Sequence, residues 1–210
     1  MTAVLWDLDG TLVDSAGDIA RAVDVMLARH GLRPLGEATV RRFIGEGARR
    51  LVDRCVAEAG GVPGEAHLGD FLAAYAAAPV VTTTVFDGLR AIVEDIRSPQ
   101  AIVTNKPEAL TRAVLAGLDL ARHFPVVIGG DTLPVRKPDP APIHEALRRL
   151  GATTAVFVGD GPPDVAAARA AGLACVGVEW GIHEPAGADV RVPDARTLRD
   201  ALRRLGVHCG

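Results

Sequence analysis

Lysine is almost missing from this chain: of its 23 basic residues only Lys106 and Lys137 are not arginine. Cysteine is sparse too. Cys55, Cys175 and Cys209 are odd in number, widely spaced and form no Cys-x-x-Cys. That pattern argues against a disulfide framework or a sulfur-ligated zinc site and fits a reducing compartment. Long apolar runs are absent. The longest uncharged stretch, Phe71 to Phe86, carries Pro79 and three threonines and falls short of the ~20 apolar residues a spanning helix needs. The first ten residues contain Asp7 and Asp9 and nothing basic, which does not read as a signal peptide. With a net charge of −3 and no block of one sign, neither a nucleic-acid stripe nor a disordered acidic tail is indicated. The expected setting is the cytoplasm, with no membrane and no nucleic-acid partner.

What is present is an ordinary globular composition, 49% hydrophobic and 23% charged over 210 residues. That length suits one domain, or one domain with a sizeable insert. Ala3 to Trp6 is a short apolar run without polar alternation, as expected for a strand covered on both faces of a parallel sheet. Ala101–Val103, Val126–Ile128, Ala155–Val158 and Ala174–Val178 read alike. Between them lie helical patterns over Leu89–Ile96, Pro107–Leu115, Pro140–Leu150, Pro163–Ala171 and Ala195–Leu205. Several open on proline and close at glycine, the normal asymmetry of helix ends. Strand and helix alternating at this spacing predict an α/β fold, a Rossmann-like parallel sheet with helices on both faces.

From about residue 17 to 78 the alternation stops and every segment reads as helix: Gly17–His30, Glu37–Ile44, Arg49–Ala59 and Glu65–Ala78. The expected division is therefore a core of residues 1–15 and 83–210 and an inserted all-helical cap of residues 16–82.

Ligands of open α/β sheets bind beyond the carboxyl ends of the strands. The polar residues following the predicted strands are Asp7, Asp9 and Thr11; Thr104, Asn105 and Lys106; and Asp160 and Asp164. If the first strand continued, Asp7 and Asp9 would share a face on the order of 7 Å apart. Close carboxylates repel unless a cation lies between them. Four carboxylates with no sulfur or histidine partner favour a hard cation, and magnesium suits a site where phosphate completes the shell. Lys137 precedes the helix leading to the Ala155–Val158 strand. Lys106 and Lys137, retained in an arginine-biased chain, each suit a compact positive charge beside a phosphoryl oxygen and a carboxylate.

These residues resemble the four motifs of the haloacid-dehalogenase-like phosphatases: Asp7-Leu-Asp9-Gly10-Thr11-Leu-Val-Asp14-Ser15, Val103-Thr104-Asn105, Arg136-Lys137-Pro138, and Gly159-Asp160 through Asp164. They occur in the family's order, and the helical insert lies where a cap of the first type belongs. The resemblance implies that Asp7 attacks phosphorus and forms an aspartyl phosphate. Asp9 protonates the leaving oxygen and then activates water. Thr104 holds a phosphoryl oxygen, and Lys137 neutralises the transferring group. Asp7, the Asp9 main-chain carbonyl, Asp160 and Asp164 bind or support Mg2+. Gly161-Pro162-Pro163 departs from the pattern, because a hydroxyl and two amide donors are missing there.

Gly45-Glu46-Gly47-Ala48, Thr104-Asn105-Lys106-Pro107 and Val178-Glu179-Trp180-Gly181 resemble the phosphoglycolate phosphatases within that family. The expected partner is a small phosphorylated metabolite, most simply 2-phosphoglycolate, with Thr11, Asn105, Gly45, Gly47 and Arg49 among the binding residues. The cap has no lysine, so a cationic partner for the substrate's carboxylate is sought among its arginines. Arg49 is the first choice and Arg41, Arg42 and Arg50 follow; backbone amides near Gly45–Ala48 are the alternative. Sugar-phosphate, nucleotide and pyrophosphate hydrolysis share the same core, and a phosphate-binding regulator without turnover would share the fold. Oligomeric state, monomer or homodimer, is not legible in the sequence.

Overall fold

The computed structural model describes residues 1–210. Six strands form a parallel sheet: β1 (Ala3–Trp6), β4 (Gln100–Val103), β5 (Val126–Ile128), β6 (Ala155–Gly159), β7 (Ala174–Val178) and β8 (Val190–Val192), in the order β5-β4-β1-β6-β7-β8. β1 is interior, its Leu5 aligned with Ala101 of β4 and with Phe157 of β6. Because side chains alternate along a strand, Val4 and Trp6 enter one apolar layer and Ala3 and Leu5 the other. The first layer is closed by α5 (Leu89–Asp95), α6 (Glu108–Gly117) and α9 (Ala195–Arg204). The second is closed by α7 (Ala141–Leu150) and α8 (Pro162–Ala170). Burial on both faces explains the uninterrupted apolar runs. Trp6 keeps its one polar atom satisfied, donating to Gln100 at 3.1 Å.

The four remaining helices are α1 (Ala16–Arg29), α2 (Glu37–Arg41), α3 (Ala48–Glu58) and α4 (Glu65–Ala77). They pack on one another around their own apolar cluster, to which the sheet-flanking helices add only Leu110. α1 supplies Ile19, Val23, Met26 and Leu27 at helical spacing; truncating a buried Leu or Met to Ala costs about 2–5 kcal/mol. The chain leaves and re-enters the sheet unit side by side, where β2 (Val13–Asp14) pairs antiparallel with β3 (Thr84–Val85).

Four elements differ from the sequence expectation. β2 and β3 are too short to show a period, and β8 (Val190–Val192) has an exposed arginine at its centre. The helix expected over Glu37–Ile44 stops at Arg41 and continues as turns to Gly45. No helix is long and apolar enough to cross a membrane.

Candidate active site

The carboxyl ends of β1, β4 and β6 bring together residues distant in sequence. β1 stops at Trp6 and delivers Asp7, so the strand-like geometry imagined for Asp7 and Asp9 does not continue. A tight turn follows, in which Gly10 takes a φ of +87° that side chains with a Cβ rarely adopt. Lys137, in the loop between β5 and α7, donates to Asp7 Oδ1 at 2.8 Å, Asp164 Oδ1 at 2.7 Å and the Val103 carbonyl at 2.7 Å. Three acceptors satisfy the three protons of a buried ammonium. Burial alone would depress its pKa, but Asp164 and Asp7 hold it above the usual lysine range.

The carboxylates feel the opposite strain. Burial pushes Asp7 up to about 6, partly offset by Lys137 and reinforced by Asp164 and Asp9. Burial also raises Asp160, with Asp7 adding to it, and raises Asp164 in spite of Lys137. Oxygens of Asp7, Asp160 and Asp164 all lie within 4.8 Å of one another. Three acids around one ammonium leave a negative surplus in a buried place. An all-oxygen donor set with that surplus fits a hard divalent cation. The set is also held in place. Asp160 Oδ1 accepts from Thr11 at 3.2 Å, and its Oδ2 accepts from the amides of Ile182 and His183 at 2.8 and 3.1 Å. A Cβ on either Gly10 or Gly181 would come within 2.6 Å of Asp160 Oδ2.

The Gly161-Pro162-Pro163 departure has a local explanation. Pro162 and Pro163 are the first two residues of α8, where an N–H has no partner within the helix. Asp164, the third, accepts from the Gly161 amide at 3.1 Å. The acid therefore both starts the helix and holds Lys137.

Asp9 belongs to a second network. Its Oδ1 accepts from Ser15 at 2.5 Å and from Lys106 at 2.9 Å, and Lys106 reaches Oδ2 at 3.2 Å. Lys106 also donates to the Tyr75 hydroxyl of α4 at 2.6 Å. The neighbouring Asn105 donates to the carbonyls of Gly45 and Lys137, both at 3.0 Å. The His183 ring nitrogen donates to the Ile44 carbonyl at 2.7 Å. Asn105 and His183 thus fasten the loop before α3 to the sheet unit. Gly45 and Gly47 in that loop have φ values of +115° and +92°, and both border the cavity that holds Asp7, Asp9 and Thr104.

Two expected binding residues do not reach this cavity. Thr11 is fully buried behind Asp160 and serves its carboxylate instead. Arg49 turns away and pairs with Glu65 and, at 3.8 Å, with Asp53. The reason is helical geometry. α3 presents Ala48 and Leu51 to the cavity, and residues three apart share a face whereas the next one along does not. Arg41 pairs with Asp14 and Glu37. Arg42 and Arg50 line a second cleft of about 620 Å³, which shares Ile44 and Gly45 with the first and also borders Lys137. No arginine borders the Asp7–Asp9 cavity.

Ser15, Tyr75 and His183 join the site without having been singled out as site residues, and Lys106, grouped with the polar residues beyond the second strand, turns to Asp9. The signals were faint: Ser15 ends the first motif, Lys106 is one of two lysines, and Tyr75 is the only tyrosine. Cys55 and Cys175, by contrast, are buried thiols pushed up to about 12 by burial, too weakly acidic for nucleophilic work.

The whole chain is similar to known proteins in sequence and in fold. A predicted phosphoglycolate phosphatase from Haemophilus somnus superposes with a TM-score of 0.86 at 27% identity, covering 96% of this chain and 98% of its own. A phosphoglycolate phosphatase of Pseudomonas fluorescens is 39% identical over 219 aligned residues, 98% of this chain and 79% of the relative. One from Rhodospirillum rubrum is 43% identical over 192 residues, 85% of this chain and 80% of the relative. A model of the haloacid dehalogenase-like hydrolases matches residues 1–172, the span that contains Asp7, Thr104, Lys137, Asp160 and Asp164, and the chain belongs to that family.

Proposed function

We propose that this enzyme hydrolyses 2-phosphoglycolate to glycolate and phosphate, with Asp7 as nucleophile and Mg2+ as cofactor. The observation that carries the reading is the Asp7–Lys137–Asp164 arrangement, with Asp160 alongside and Asp9 in the adjoining cavity. A nucleophilic carboxylate held by a lysine, next to a cation-ready acid cluster and a second carboxylate, is what phosphoryl transfer from a monoester requires. Phosphoglycolate phosphatase activity among the relatives supports the substrate.

The reaction divides into two displacements. Asp7 attacks phosphorus in line, the bond to the ester oxygen breaks, and Asp9 gives that oxygen a proton, so that glycolate departs. Asp9 then takes a proton from water, the oxygen of which attacks the aspartyl phosphate. Phosphate leaves and Asp7 is regenerated. One residue serves both steps because the acid spent in the first becomes the base needed in the second. Thr104, whose Oγ accepts from the Lys106 amide at 3.2 Å, keeps its own hydroxyl proton for a phosphoryl oxygen. Lys137 offsets the charge of Asp7 and of the transferring group. Asp7, Asp160 and the Asp9 carbonyl would hold the cation, with Asp164 behind them, and the cation supplies charge neutralisation at the phosphoryl oxygens. Residues 1–15 and 83–210 act as catalytic core and residues 16–82 as a cap that closes over the ester and excludes water.

The test is phosphate release from 2-phosphoglycolate, sugar phosphates, nucleoside monophosphates, pyrophosphate and p-nitrophenyl phosphate, with Mg2+ and with EDTA. The reading expects 2-phosphoglycolate to give the highest kcat/KM and EDTA to abolish turnover. A higher kcat/KM for another natural ester would overturn the substrate, and full activity after exhaustive chelation would overturn the cofactor.

A further inference from the structure

With no arginine at the cavity, the positive partner of a substrate carboxylate has to come from elsewhere, and Lys106 is the one cationic side chain on its walls. Only 6% of Lys106 is exposed. Its ammonium lies 2.9 Å from an oxygen of Asp9, 2.6 Å from the Tyr75 hydroxyl and 4.3 Å from the centre of the Tyr75 ring. Tyr75 comes from the helical insert and Asp9 from the sheet unit, so Lys106 spans the seam between the two. The Tyr75 hydroxyl accepts from Lys106, and its own proton has no acceptor within the protein. The first turn of α3, starting at Ala48, faces the same cavity with no capping side chain and no acidic residue.

We infer that Lys106 and the Tyr75 hydroxyl form the subsite that reads the distal carboxylate of the substrate, the ammonium exchanging Asp9 for that carboxylate when the ester binds. The inference rests on the phosphoglycolate reading above.

Reach is the first support. Asp9 must approach the ester oxygen to within hydrogen-bond distance, about 2.7 Å, to protonate it. The Lys106 ammonium is already 2.9 Å from the same carboxylate. In 2-phosphoglycolate a single methylene separates the ester oxygen from the carboxylate. A substrate seated for protonation by Asp9 therefore brings its second anion beside Lys106 without any further extension.

Chemistry is the second. The Lys106–Asp9 pair occupies the carboxylate that catalysis needs free. A substrate carrying its own carboxylate offers the buried ammonium an equivalent partner, so the desolvated positive charge stays paired while Asp9 is released. Tyr75 adds a hydroxyl donor that Phe71, one turn earlier on α4, cannot provide. A neutral-ended ester offers no exchange, and it would have to separate a buried ion pair without replacing it. Selectivity and the freeing of the acid thus arise from one event. Lysine rather than arginine fits, because a compact charge must turn between two partners in a space with no room for a planar fork.

The experiment compares 2-phosphoglycolate with 2-hydroxyethyl phosphate, which replaces the carboxylate by a neutral alcohol, in the wild type, Lys106→Met and Tyr75→Phe. The wild type should favour 2-phosphoglycolate. Lys106→Met should lower kcat/KM for 2-phosphoglycolate by roughly 10–150-fold more than for 2-hydroxyethyl phosphate, the size of one lost charge-assisted contact. Tyr75→Phe, which keeps the ring and its packing, should show the same bias at several-fold, so the inference stays testable if Lys106→Met folds poorly. Equal losses on both esters in both variants would reduce Lys106 to a support for Asp9 and overturn the inference alone. A wild type that does not distinguish the two esters would overturn the phosphoglycolate reading and this subsite with it.

Discussion

The ammonium of Lys137 lies 2.8 Å from Asp7 Oδ1, and both groups are almost completely buried. Removing one partner of a buried pair leaves the other charge uncompensated, at a cost of about 3–5 kcal/mol. Lys137→Met should therefore lose turnover and also unfold earlier in urea at neutral pH in EDTA. Because burial raises Asp7 and Asp164, both take up protons in the variant as the pH falls, and the deficit should shrink towards about pH 5. A stability loss that did not change between neutral and mildly acidic pH would contradict this pairing.

Cation binding should depend on pH in a set direction. Asp7 is raised to about 6 by burial, above its ordinary 3.8. Its charged form therefore costs stability above about pH 6, and that cost is relieved as the pH falls towards 4. A divalent cation binds the ionised carboxylates and must displace protons below that range. The rise in Tm on adding Mg2+ should be larger at about pH 7.5 than at about pH 5 and should be lost in Asp160→Ala. An equal rise at both pH values would count against Asp7 as a ligand.

Asp7→Asn should abolish turnover while leaving the fold intact, since an amide does not form the acyl phosphate directly. Rapid acid quench of the wild type should leave a phosphoryl group on Asp7. Mapping of that group to another residue would refute the nucleophile. Asp9→Asn removes the proton donor, with an expected loss of about 10²–10⁴ in kcat. Alkyl phosphates should suffer more than aryl phosphates, because a poor leaving group needs the proton most. Uniform loss across both classes would speak against the acid role.

Asp18 is a separate, structural acid. Burial works to raise it, but the Thr83 hydroxyl and the amides of Val81, Thr82 and Thr83 all donate to its Oδ2 and win, bringing it down to about 2. It ties α1 to the segment that leads into β3. Asp18→Ala should destabilise by about 1–3 kcal/mol by leaving those donors unpaired. A depressed carboxylate stabilises above its ordinary 3.8 and loses that contribution as the pH falls through about 2. The gap between wild type and variant in urea should accordingly be full at about pH 5 and narrow in strong acid. A gap that persisted unchanged in acid would mean that the carboxylate charge is not what holds the segment.

Most of the sheet unit was legible because its cause is local. An apolar run too short for a helix, followed by an acid or a threonine, marks a buried strand end. Proline before an amphipathic stretch and glycine after it mark the helix between, and helix bounds read this way agree with the structure to within one or two residues, α2 apart. β2, β3 and β8 were not legible. β2 and β3 have two residues each and carry no period, β8 has an exposed arginine at its centre, and all three are strands only because a partner strand supplies their hydrogen bonds.

The same division runs through the site. Residue order was enough to nominate Asp7, Asp160 and Asp164, because strand topology forces the carboxyl ends of β1 and β6 into one place; Lys137 was nominated by the scarcity of lysine and by the family resemblance. Direction was a different matter. Arg49 sits one residue beyond a cavity-facing Ala48, and a helix turns each successive residue by about 100°, enough to send its guanidinium to Glu65 instead. Lys106 and Tyr75 are 31 residues apart and belong to different units. Their contact with each other exists only when the helical insert is packed on the sheet, whereas Lys106 meets Asp9 within the sheet unit. Which acids gather follows from the chain read in order; which hydroxyl of the helical insert meets Lys106 follows from how two separately cored units meet.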